Sequence, residues 1–177
     1  MTVAIRKSIA MLVACGLAAS IIAYVGSYLG MTMDAFPIWV IAIHMGIVIF
    51  WVPMCVLEYG FLKDRSFFWK GFSQGKPKWV VPTIKLLGLF FAVHFLLFLI
   101  ESHAASPQIK DGQYILDNHG QTLRLITQSE YLHLKASELR LFATGWICFY
   151  SVSFAYWWFP RVRTQFAGSA PESARTA

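Results

Sequence analysis

The chain has 177 residues, 57% hydrophobic and only 14% charged, with a mean hydropathy of +0.55 and a formal net charge of +6. Soluble domains carry about 25% charged residues, so this composition excludes an ordinary water-soluble fold and points to lipid as the solvent. The positive balance does not indicate a nucleic-acid partner, because the Lys and Arg residues flank apolar runs instead of lining a polar domain.

Residues 1–30 open with Arg6 and Lys7 and continue as an apolar run from Ile9 to Gly30. A signal peptide begins in the same way, and Leu12-Val13-Ala14-Cys15 resembles a lipoprotein cleavage box. Apolar sequence nevertheless continues far beyond Cys15, which predicts a retained transmembrane helix. Gly26 and Gly30 form a Gly-xxx-Gly pair, which predicts close helix–helix approach. After a short link carrying Asp34, the run 36–57 reads as a second span. Pro37 lies in its first turn and Pro53 further in, where a kink is expected.

Residues 58–79 form a basic and aromatic loop, with Lys63, Arg65, Lys70, Lys76 and Lys78 among Phe61, Phe67, Phe68, Trp69, Phe72 and Trp79. Between two membrane helices this mixture predicts a headgroup-lying segment. Residues 80–100 give the third span, in which Lys85 can snorkel to the interface. Residues 141–159 give the fourth, and 160–177 a tail whose end is expected to be disordered. Eleven of the fifteen Lys and Arg residues fall on the side of the termini and the 58–79 loop. Counting positive charge predicts cytoplasmic termini and an extracytoplasmic 101–140 segment.

That segment is the one sizeable polar part of the chain. Pro107–Gly112 reads as loop, and Gln113–Asp117 with Gln121–Ile126 as a two-stranded hairpin around Asn118-His119-Gly120. Thr127-Gln128-Ser129-Glu130 is a capping box, with Glu130 expected to reach back to the Thr127 N–H. It starts a helix that continues unbroken into the fourth span and rises roughly 15–20 Å above the lipid. The predicted fold is therefore an all-α membrane protein: four transmembrane helices, a small extracytoplasmic β-hairpin and an extension of the fourth helix. The pattern Gly-x-Tyr-x-Leu-x-Asn-His-Gly at Gly112–Gly120, followed by Ile126-Thr127-x-x-Glu130-Tyr131, resembles a stretch found in uncharacterised bacterial multipass membrane proteins. The likeness is confined to Gly112–Tyr131 and implies a bacterial inner (plasma) membrane setting without any attached activity.

Two histidines stand inside apolar runs. His44 and His94 lie at matching depths, about 12 Å and about 9–10 Å from the outer ends of the second and third spans. An imidazole in hydrocarbon marks a candidate site. One reading makes His44 and His94 cofactor-binding residues for haem b, a metal or a quinone, with Gly46 and Gly88 leaving room for a ring. The other lets each histidine hydrogen-bond a Ser, Thr or Tyr of a neighbouring helix.

A second group outside the spans joins His103, His119 and His133 with Glu101, Asp111, Asp117 and Glu130, at spacings that match no metal-ligand pattern, so no metal site is assigned. Cys15, Cys55 and Cys148 sit in apolar runs and read as small buried residues. No nucleophile motif, phosphate-cradling loop or intramembrane acid pair is present, so no catalytic residue is assigned. The expected role is a non-enzymatic accessory or interaction subunit, whose partners are the bilayer and another membrane protein or a second copy. The alternative is an electron-transfer subunit using His44 and His94.

Overall fold

The computed structural model describes residues 2–35, 37–57 and 72–159. Most of the expected 58–79 loop and all of the 160–177 tail lie outside the described residues. In chain order the elements are α1 (Val3–Tyr28), a 3-10 turn (Met33–Ala35), α2 (Pro37–Leu57) and α3 (Val80–Ser102). The strands β1 (Ser106–Lys110), β2 (Gln113–Asn118) and β3 (Gln121–Leu125) follow, and then α4 (Gln128–Trp158). The fold is mostly helical with one small sheet. Among the described residues three helices, α1, α2 and α3, are long and apolar enough to cross a membrane.

α4 is the hub. It packs on each of the other three helices, most extensively on α1, and contributes buried residues from Leu134 to Trp157. The other helices turn most of their apolar side chains outward: only 6% of the most apolar stretch of α2 or α3 is buried. α4 carries Ser137, Thr144, Ser153, Trp146, Tyr150 and Tyr156 on its buried surface. A helix enclosed by protein does not need the apolar exterior that the outer three possess.

Glycines make the closest contacts possible, although not the pair expected. Tyr150 lies where a side chain at Gly16 or Gly46 would stand, and its hydroxyl donates to the Ile43 carbonyl at 2.7 Å. Phe91 of α3 packs in the same way over Gly145. Gly26 and Gly30 instead end α1. Gly30 takes φ +85°, the Met31 N–H donates to the Gly26 carbonyl at 3.0 Å, and the Met31 side chain fills the space over Gly26. This is a Schellman termination, with the usual contact between its two flanking residues. At the far end, Arg6 donates to the Tyr156 carbonyl at 2.6 Å and lies over the Tyr156 and Trp157 rings. A cation there complements the negative end of the α4 dipole.

The expected two-stranded hairpin is a three-stranded antiparallel meander, β1-β2-β3. The Pro107–Gly112 stretch, expected as loop, supplies β1 and its turn. Pro107 pairs with Leu116 on an edge strand, where a missing N–H is tolerated. Asp111-Gly112 and His119-Gly120 all have φ between 51° and 88°, the two-residue turn that suits twisted hairpins. One face of the sheet packs on α4 through Leu116, Ala105, Ile126 and Leu134, flanked by Tyr114 and Tyr131. The Thr127 side chain caps the Glu130 N–H as expected, at 3.2 Å. The Glu130 carboxylate does not reach back, because it pairs with Arg124 of β3 in a two-point contact.

Candidate functional site: a polar chain between α1, α3 and α4

His94, on α3, is held on both ring nitrogens. Nδ1 lies 3.0 Å from the Phe90 carbonyl and Nε2 3.2 Å from the Tyr24 hydroxyl of α1. A nitrogen facing a carbonyl must carry the proton, so Nε2 is the acceptor and Tyr24 donates to it. Tyr24 in turn lies 3.0 Å from the Tyr28 hydroxyl, one helical turn nearer the sheet. Tyr28 then has one free direction to donate, into Tyr24. The result is a one-way chain, Tyr28 to Tyr24 to His94 to the Phe90 carbonyl. Arg140 of α4 closes the upper end: its guanidinium lies 4.1 Å from the Tyr28 ring centroid, and Nε reaches Ser27 Oγ at 3.4 Å.

His44 is held differently. The Trp146 indole N–H donates to His44 Nδ1 at 3.2 Å, with the two rings edge to face. Nε2 of His44 has no hydrogen-bond partner among the described residues, and the side chain is exposed. The two histidines therefore belong to separate contacts, His44 with α4 and His94 with α1, and among the described residues no ring touches both. Gly46 does not leave room beside His44, since Tyr150 fills it, whereas Gly88 faces open space.

Near the sheet, the acidic residues are engaged by the fold. Asp117 accepts the Gly120 N–H at 2.9 Å and fixes the turn, and Ser137 donates to Glu101 at 2.7 Å, with His133 3.8 Å from the same carboxylate. Lys135, 15% exposed, bridges Glu138 at 3.2 Å and Asp34 at 3.5 Å. Burial alone would lower its pKa, but the two carboxylates, Glu138 first, raise it above the ordinary value. Tyr131 also donates to Asp34, at 3.4 Å. These contacts tie the α1–α2 link to α4. His103, His119, Asp111 and Glu130 do not join them, and among the described residues no three His, Cys, Asp or Glu side chains converge as a metal site.

Sequence reasoning singled out His44 and His94 but missed Tyr24, Tyr28, Ser27 and Arg140. The Tyr24–Tyr28 spacing of four does put both rings on one helical face, which was a usable signal. Arg140 reads from the sequence only as a charge of the extracytoplasmic side, on the helix that leads into the fourth span, with no partner on α1.

An apolar groove of about 320 Å³ lies on the other side of α1. Ala19 and Ala23 of α1, Trp39 and Ile43 of α2, and Leu139 and Trp146 of α4 line it. Comparison with protein-family models, curated proteins and solved structures found no match.

Proposed function

We propose that the chain is a four-span integral membrane protein of the bacterial plasma membrane, with cytoplasmic termini and an extracytoplasmic sheet, acting as a non-enzymatic interaction subunit. The observation that carries this reading is the inverted burial: the most apolar helices are outermost, and the more polar α4 is enclosed by them. In water the exposed Ile, Leu and Val of α1–α3 would be a large aggregation-prone surface; in a bilayer they are solvated. A crossing by α4 as the fourth span is supported by its contacts with α1, which extend from Arg140 on Ser27 to Arg6 on Tyr156.

The interaction role is supported by β3. All five of its residues are exposed, Leu123 and Leu125 among them, and its outer edge pairs with no strand among the described residues. Such an edge can accept a strand from a partner. A photo-reactive residue at position 123 is expected to give one discrete adduct with another membrane protein or a second copy, and a residue at Leu96, on the outward face of α3, is expected to give lipid adducts. A reporter fused after Ala177 is expected to be active only in the cytoplasm; activity outside would overturn the orientation.

The electron-transfer alternative rests on the unpartnered Nε2 of His44. It requires Tyr24 to release His94, or a cofactor that uses His44 alone. A Soret band or bound quinone in the purified chain, abolished by His44→Ala, would favour it over the interaction role.

A further inference from the structure

We propose that the crevice between α1 and α3 holds one phospholipid, its phosphate on Arg140 and an acyl chain running down toward the opposite end of the bundle. The inference rests on the membrane reading above and adds a defined ligand to it.

Arg140 supplies the first reason. It is only half-exposed, yet no carboxylate among the described residues pairs with it. Nε is taken by Ser27 and the flat face by Tyr28, while neither η nitrogen has a hydrogen-bond partner among the described residues. These nitrogens are not buried, so they remain open to a ligand. A guanidinium so arranged presents parallel N–H groups suited to two phosphate oxygens.

Depth supplies the second. Ser137 meets Glu101 at the upper end of α3. Arg140 is three residues further down α4, about 4.5 Å deeper, which is the boundary between headgroup and hydrocarbon. Its neighbour Tyr28 is 58% exposed, so the guanidinium stacked on that ring is approachable from outside the bundle.

The third reason is the space below. α1 and α3 meet through the Tyr24, Phe90 and His94 side chains, with little backbone approach between them. Further from the sheet, the same two helices and α4 enclose an apolar hollow of about 170 Å³, lined by Leu17, Thr83, Ile84, Leu87, Phe154 and Ala155. Leu87 lies seven residues beyond His94, and Ser151 eleven beyond Arg140. At 1.5 Å per residue the drop from Arg140 to Ser151 is about 16 Å, close to half of a hydrocarbon core of about 30 Å. Tyr24 and His94 bridge α1 and α3 above the hollow, so an acyl chain from a phosphate on Arg140 passes over the outer side of that contact and enters the hollow at its upper rim, beside Leu87 and Ser151. A free phosphate would leave the hollow empty, and a neutral diacylglycerol would leave Arg140 without its anion.

The test uses the purified full chain in detergent and native mass spectrometry. Palmitoyl-oleoyl phosphatidylglycerol, the matching diacylglycerol and inorganic phosphate are added separately. The expected result is one phosphatidylglycerol per chain, retained at concentrations about ten-fold below those needed for diacylglycerol. Arg140→Gln is expected to remove that preference, and Leu87→Trp, which fills the hollow, to weaken retention about five-fold while Arg140 is intact. Equal retention of the two lipids by the unmodified chain would overturn the proposal, as would undiminished phosphatidylglycerol binding by Arg140→Gln. Displacement of the lipid by equimolar inorganic phosphate would also overturn it, in favour of a free-anion site. If Arg140→Gln does not fold, the Leu87→Trp result decides: unchanged retention overturns the chain's placement. Alkaline extraction of the same membranes reports insertion separately. A chain released by carbonate overturns the membrane reading, and a resistant chain without lipid preference overturns only the lipid site.

Discussion

α3 and α4 cross the same bundle and could hardly be more different in composition. α3 has a mean hydropathy of 2.3 over its most apolar stretch, and only 6% of that stretch is buried. α4 carries Ser, Thr, Tyr and Trp along a surface that the other helices cover. Hydropathy therefore records what solvates a helix, not how central it is. Two hydroxyls of the enclosed surfaces are satisfied locally: Thr144 donates to the Leu141 carbonyl at 2.7 Å, and Ser20 of α1 to the Gly16 carbonyl, also at 2.7 Å. Such back-bonding lets a hydroxyl be buried without a partner on another helix.

The strongest test of this contrast removes the largest enclosed side chain. Trp146 is 2% exposed, and Trp146→Ala is expected to cost about 3–5 kcal/mol by leaving a cavity. Unfolding of the detergent-solubilised chain in SDS measures it. A loss below about 1 kcal/mol would mean that α4 is not the centre of the core.

Overfilling the crossing point tests the same packing from the opposite direction. Gly46→Leu must displace Tyr150 and break its bond to Ile43, with an expected cost of about 1–3 kcal/mol in the same assay. Above the bundle, Thr127→Ala removes the α4 cap and is expected to cost about 1 kcal/mol, seen as faster amide exchange in the first α4 turn.

A pH titration addresses the sheet. Hydrogen bonding to Arg124 holds the Glu130 carboxyl below its ordinary value of 4.5. The stabilising contribution of a depressed carboxyl is complete above its unfolded value and is lost as the pH falls through the folded one. Exchange protection of the β3 and first-turn α4 amides should therefore fall only in acid below that value. Glu130→Gln should flatten the dependence. The smallest effect belongs to Leu96→Ala on the exposed face of α3, within about 0.5 kcal/mol of the unmodified chain.

Three of the helices are legible in the sequence because an apolar exterior demands long uninterrupted runs of Leu, Ile, Val and Phe. The fourth is legible as a helix through its Thr127 cap and its lack of breakers. Its central place is not, since that depends on Gly16, Gly46 and Tyr150 meeting across more than a hundred residues. β1 escaped because Pro107 argues against a strand, and only an edge position reconciles the two. At the candidate site, His44 and His94 stand out as polar groups among apolar neighbours, but periodicity says nothing of which helix each faces. Their partners Trp146 and Tyr24 follow from packing alone. The Asp34–Lys135 pair is equally silent, as two charges separated by most of the chain.

The clamp of Arg6 on the Tyr156 carbonyl joins almost the first residue described to almost the last. During synthesis α1 emerges at the start, yet the surface it packs on is made only when α4 is complete. Until then α1 has no partner for Gly16 or Arg6, and the proposed bilayer must hold three helices without the element on which each of them packs. Their outward apolar faces make that wait tolerable. A chain interrupted before α4 would therefore keep its three most apolar helices and lack the surface that joins them.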